Sequence, residues 1–166
     1  MGRDKARLPF RGSDLVSVVA GAVAQAAGNV TLIGHPELPG IPDRYPGEGP
    51  LGGILTALHH TSSDWNLIVA CDMPEVCPGL LGALLARAER SQADVLLPHG
   101  PDRLPQPLCA VYHRRALPVL EGHFSRGVRK VTAALEGLAV ERLFVMEASS
   151  FQNVNTPEDW AAYAPK

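Results

Sequence analysis

Trp65-Asn66-Leu67-Ile68-Val69-Ala70-Cys71-Asp72-Met73-Pro74 is the stretch that decides the fold class. From Trp65 to Cys71 it is an apolar run of strand length, stopped by an acid and a proline. A run that is continuously apolar rather than alternating belongs to a strand covered on both faces, as in a parallel sheet. The end of such a strand sets the Asp72 carboxylate at the carboxyl edge of the sheet, and Met73-Pro74 turns the chain away from it. Open α/β sheets bind their ligands at that edge. A lone carboxylate there suits Mg²⁺, which prefers oxygen donors and keeps waters and substrate phosphates for its other positions. An Asp in this place also serves as a helix cap or a turn stabiliser. Cys71, inside the apolar run, reads as a small buried hydrophobe.

On both sides of this strand, apolar strands alternate with amphipathic helices. Ser13 reads as an N-cap, with Leu15, Val19 and Val23 spaced four apart behind it and Gly28 as the stop. Val30 to Ile33 reads as a short buried strand, and His35 to Glu48 as a shaped loop of four prolines and two glycines. Leu51, Ile54, Leu55 and Leu58 mark a helix over Pro50 to His60, and Leu80, Leu81, Leu84, Leu85 and Ala88 mark another. Strands are expected at Val95 to Leu97, Leu108 to Tyr112 and Leu143 to Met146, with helices over Arg114 to Leu120 and Val128 to Leu138. Thr156-Pro157-Glu158-Asp159 opens a last helix, with a cap, a first-turn proline and acids at the positive end. The expected fold is α/β, with a mostly parallel sheet covered on both faces. With no internal repeat or long linker, residues 1–166 read as a single domain.

The chain's 166 residues fit one core. Lys and Arg number 15 against 17 Asp and Glu, a net charge of −2 that gives no field for nucleic acid or an anionic membrane. Aromatic residues are only 5%, so the core is aliphatic. Three cysteines without a close pair point to reduced thiols and a cytoplasmic setting. Leu15 to Pro36 carries no formal charge, but Ser17, Gln25, Gly28, Asn29 and Thr31 interrupt it. It reads as a buried helix and strand rather than a membrane span. Charged residues crowd the first fourteen positions, so no signal peptide is expected.

Four further segments could carry chemistry. Gly2-Arg3-Asp4-Lys5 can offer backbone N–H groups and a Lys charge to phosphates, or be a charged terminus. Gly47-Glu48-Gly49-Pro50-Leu51-Gly52-Gly53 lets a base or phosphate approach a helix start closely, or is a tight loop-to-helix junction. Asn153 and Asn155 set two amides on one side of an extended segment before a helix, able to bond a polyoxygenated ligand or cap an Asx turn. Arg126-Gly127-Val128-Arg129-Lys130 is a basic knot for an anionic substrate, or a solvated helix start.

Together these motifs resemble the molybdenum cofactor guanylyltransferases, the MobA-like nucleotidyltransferases. That family's Arg-Met-Gly-x-Asp-Lys is similar to Met1 to Lys5, and its Gly-Pro-Leu-(Ala/Gly)-Gly to Gly49 to Gly53, with an acid upstream at Asp43. Its Cys-Asp-x-Pro is similar to Cys71 to Pro74, its Asn-x-Asn-Thr-Pro-Glu-Asp to Asn153 to Asp159, and a segment before a strand to Gln106-Pro107-Leu108. Order and spacing agree along the whole chain. The resemblance implies a Rossmann-like three-layer domain that joins GMP from GTP to the terminal phosphate of molybdopterin and releases pyrophosphate. It implies Lys5 and Asp72 as the catalytic pair, with Asp72 holding Mg²⁺. Gly2, Lys5, Asp43, Gly49, Gly52 and Asp72 would contact the nucleotide, and Asn153 and Asn155 the pterin. GTP, molybdopterin and proteins that insert or deliver the cofactor are the implied partners.

Two departures stand out. The family's first strand and Leu-Ala-Gly-Gly-x-Ser-x-Arg loop do not precede Met1-Gly2 here, so Met1 is read as an internal methionine and the first strand as missing. The family's second-strand Asn-x-Asn is replaced by Ile33-Gly34-His35. Rival readings are a molybdopterin cytidylyltransferase or other nucleotidyltransferase, a shortened cofactor-binding protein without catalysis, and a purely structural α/β domain.

Overall fold

The computed structural model describes residues 9–154, apart from 11 and 36, together with residue 159. A hairpin of β1 (Pro9–Phe10) and β2 (Ser13–Asp14) leads into α1 (Leu15–Ala27). Then come α2 (Pro50–His60), β3 (Trp65–Val69), α3 (Pro78–Ala88), β4 (Val95–His99) and β5 (Cys109–His113). After a 3₁₀ turn at Arg114–Ala116 follow α4 (Leu117–Ser125), α5 (Val131–Ala134), β6 (Val140–Phe144) and a second 3₁₀ turn at Ala148–Phe151.

The main sheet has the order β3-β5-β4-β6. β5 runs antiparallel to both β3 and β4, while β4 and β6 are parallel, so three of the four strands point the same way. Side-chain alternation divides the apolar residues between the two faces. Leu67, Val69, Leu96, Cys109 and Val111 face a cluster built with α1 and α3, including Leu15, Val19, Leu81 and Leu84. Ile68, Val95, Leu97, Ala110 and Tyr112 face a second cluster with α2, α4 and α5, including Leu51, Leu55, Leu58 and Leu120. The domain is therefore the expected α/β three-layer arrangement. Among the described residues, no helix is long and apolar enough to cross a membrane.

The polar details explain where the chain departs from expectation. Asp14, not Ser13, caps α1: its Oδ1 accepts the Ser17 N–H at 2.8 Å. Gly28 closes the helix at φ 79°, in the left-handed region that suits glycine. Val30 to Ile33 is not a regular strand. Val30 is exposed, and Ile33 makes only a bridge to Ile41, because the Ile41 N–H donates to Leu32 and the Gly34 N–H to Ile41 in the neighbouring loop. The late strand begins three residues earlier than expected, since Val140 pairs with Val95. The helix expected over Val128 to Leu138 shortens to α5, and Gly137 turns at φ 85° just beyond it. Arg114 to Leu120 splits into the 3₁₀ turn and the start of α4. Cys71 is exposed rather than buried, because β3 ends at Val69 and the thiol sits in the following turn. The helix expected from Thr156 lies outside the described residues except for Asp159.

The sheet's far end is tied by one carboxylate. Arg115 Nε donates to Asp94 Oδ1 at 2.6 Å, and the Ala139 N–H donates to Oδ2 at 2.9 Å. Burial pushes the Asp94 carboxyl up, but the bond from Arg115 and the Ala139 amide outweigh it and hold it below the usual carboxylate range. In the core, burial and then the nearby Cys77 push the Cys109 thiol up to about 12, so it stays protonated and acts as packing.

Candidate active site

A groove of about 1480 Å³ runs along the edge of β3 that faces away from β5. Its walls are α1, the Asn29 to His35 segment, one side of α2, the second half of α3 and the turn after β3. Three sequence candidates line it together: Asp43, Gly49 and Asp72. They come from different parts of the chain and meet only through the fold.

Asp72 is half-buried, and its position follows from apolar packing on both sides. Met73 and Val76 are 2% and 6% exposed, so the turn is anchored in the α1–α3 cluster immediately behind the acid. The Ala70 N–H donates to Leu108 at 2.8 Å, which ties the strand end to the Gln106 to Leu108 segment. The Val154 N–H donates to the Asp72 carbonyl at 2.9 Å, and Val154 is fully buried. That bond brings the exposed Asn153 to the Asp72 turn, as the motif order suggests. Gly2, Lys5 and Asn155 lie outside the described residues.

Asp43 is placed by α2. The Thr56 hydroxyl lies 2.8 Å from Asp43 Oδ1 and 2.9 Å from the Gly52 carbonyl, sharing its proton between them, and accepts the Arg44 N–H at 3.1 Å. Asp43 Oδ1 also accepts the Tyr45 N–H at 3.0 Å. Thr56 was not singled out in the sequence. Its signal was a hydroxyl four residues after Gly52 on an otherwise apolar helix face, where it turns out to be 2% exposed.

The glycines have different tasks. Gly49 sits at φ 80°, ψ −174°, a conformation essentially confined to glycine, and it starts α2 just ahead of Pro50. Gly52 is buried, and a Cβ on it would lie 3.0 Å from Tyr45 Cβ and 3.2 Å from the Tyr45 carbonyl oxygen. Its smallness lets the loop close onto the helix. Gly49→Ala is expected to lower unfolding stability by about 1–3 kcal/mol, the usual cost of forcing a side chain into such backbone; urea unfolding checks it.

Electrostatics narrows the chemistry. Among the described residues lining the groove, the charged side chains are Glu37, Asp43, Asp72 and Glu89, with no Lys or Arg. An anionic ligand would need a cation between it and these carboxylates. Among the described residues no three His, Cys, Asp or Glu gather into a closed metal cage. One or two carboxylates with substrate oxygens is the donor set Mg²⁺ takes, whereas zinc sites use three or four N or S ligands. The residues present therefore fit Mg²⁺ at Asp72.

The sequence model of the MobA-like NTP transferase domain matches residues 1–140. The chain belongs to that family. The match takes in the groove's Asp43, Gly49 and Asp72 and ends before Asn153. A molybdenum cofactor guanylyltransferase of Vibrio atlanticus is 32% identical over 167 residues, covering 95% of this chain and 85% of that protein. The crystal structure of the molybdopterin-guanine dinucleotide biosynthesis protein A of Archaeoglobus fulgidus superposes with a TM-score of 0.81 at 28% identity, covering 98% of this chain and 89% of that one. A 2-C-methyl-D-erythritol 4-phosphate cytidylyltransferase of Thermus thermophilus superposes at 0.75 with 17% identity, a likeness of fold alone. By its family this chain is a transferase.

Proposed function

We propose that this chain transfers GMP from GTP to the terminal phosphate of molybdopterin, with Mg²⁺ held at Asp72. The observation that carries this reading is the convergence of Asp43, Gly49 and Asp72 on one groove of a MobA-like domain, with the Asn153 segment bonded to the Asp72 turn. A terminal phosphate oxygen of molybdopterin attacks the α-phosphorus of GTP. The bond from that phosphorus to the β-bridging oxygen breaks, and pyrophosphate leaves with the electron pair.

The attacking phosphate is already an anion, so the protein supplies no nucleophile and needs no general base. Its work is alignment and charge control. Mg²⁺, when bound, neutralises charge that gathers on the phosphates. Asp72 would hold that cation from a turn whose backbone is fixed by Met73 and Val76. Gly49 removes side-chain bulk at the start of α2, where the guanine side of the pocket would lie. Lys5 would add a point charge on the phosphates. Asn153 and Asn155 would offer amides to the pterin. The enzyme would work in the cytoplasm and pass its product to proteins that insert the cofactor.

A cytidylyl transfer is the nearest rival chemistry. Thermal unfolding with Mg-GTP and with Mg-CTP separates them, because a ligand at 100 times its Kd stabilises by about 2.7 kcal/mol. Mg-GTP is expected to raise Tm by several degrees and Mg-CTP by less than one at equal concentration. Equal shifts, or a larger one with CTP, would remove the guanine preference.

A further inference from the structure

We propose that Arg129 is a positioning residue: it fixes the loop that leads into Gly49 and so sets the nucleotide-facing rim of the groove. Only the kinetic consequence rests on the guanylyltransferase reading; the restraint on the loop stands without it.

Arg129 Nε donates to Glu48 Oε2 at 2.6 Å, joining residues 81 positions apart. Its Nη1 donates to the Phe124 carbonyl at 2.8 Å and the Val128 carbonyl at 3.1 Å, and its guanidinium carbon lies 4.0 Å over the Phe124 ring. The Phe124 ring in turn packs 4.7 Å from that of Tyr45. Tyr45 accepts the Glu48 N–H at its carbonyl, donates its own N–H to Asp43 and covers the space a Cβ on Gly52 would need. One continuous set of contacts therefore runs from the end of α4 to Asp43, Gly49 and Gly52. Within the basic run Arg126 to Lys130, the Arg129 charge is directed at this loop.

The loop has reason to need an outside restraint. Gly47 and Gly49 both stand at φ 80° and flank Glu48, so the segment has little stiffness of its own. The Arg129–Glu48 pair is about half exposed on each side, and an exposed ion pair contributes little to folding. Its consequence is therefore local order rather than global stability. A Lys at 129 would keep the charge but lose the planar fork that bonds Glu48 and two carbonyls together.

The test is a double-substitution cycle in the full chain with Arg129→Gln, Glu48→Gln and both, plus Arg129→Lys. Hydrogen exchange is read over residues 44–49, and KM and kcat with Mg-GTP and molybdopterin. Each single change is expected to speed exchange over 44–49 and raise KM for GTP about threefold, within what one half-exposed ion pair can supply, with kcat within about twofold. The double change should be no worse than the larger single one, and Arg129→Lys should not rescue. Unchanged exchange in both singles, multiplied KM effects in the double, or rescue by Lys would overturn the proposal. If the unaltered chain turns over no GTP, the guanylyltransferase reading fails, and exchange alone decides whether Arg129 restrains the loop.

Discussion

Asp72→Asn is expected to lower kcat/KM for Mg-GTP by about 10³-fold while the protein stays folded. Asn keeps the size and one oxygen, but it removes the negative charge that would hold a hard cation beside the phosphates. A loss of about 4 kcal/mol of transition-state stabilisation corresponds to that factor, and it is in the range for metal-assisted charge neutralisation. The fold should survive, because the turn depends on the buried Met73 and Val76 and on the Val154 bond to the Asp72 carbonyl. Steady-state kinetics across a Mg²⁺ titration, with a melting curve for each protein, checks both halves. Activity within tenfold of the unaltered chain would mean that the cation is held elsewhere.

The second large effect falls on the core. Leu55→Ala should cost about 2–5 kcal/mol, by removing buried methyl groups and leaving a cavity that the helix and sheet only partly fill. Leu55 is fully buried in the cluster formed by α2, the sheet, α4 and α5. For a domain of ordinary stability, about 5–15 kcal/mol, that is a large share. Leu104→Ala is the control: Leu104 is 59% exposed, and surface changes of this type usually stay within about 0.5 kcal/mol. Urea midpoints should separate the two variants clearly.

Much of this was legible in the sequence because apolar pattern and position carry direct physical meaning. The run ending at Asp72 announced a two-sided strand, and its alternate residues, each partly buried, pack against both clusters. Gly28 and the Pro50 start of α2 were readable from their backbone chemistry. What was not legible depends on partners distant in the chain. Val30 to Ile33 has the composition of a strand, yet its backbone bonds are made by Ile41 and the loop around it. Cys71 looked buried because an apolar run does not reveal where strand gives way to turn. Thr56 and Arg129 bond Asp43 and Glu48 across 13 and 81 residues, so their partners could not be read from the local pattern. The shift of the last strand follows from the pairing of Val140 with Val95, which only the assembled sheet determines.

The central claim is that the carboxylate at the end of β3 carries the cation that presents the nucleotide. Crystals grown with Mn²⁺ and GTP, with anomalous scattering used to find the metal, test it most directly. The expected result is a manganese peak about 2.1 Å from an Asp72 carboxylate oxygen, in contact with triphosphate oxygens and with guanine toward Gly49. Ordered metal and nucleotide bound together away from residue 72 would contradict it.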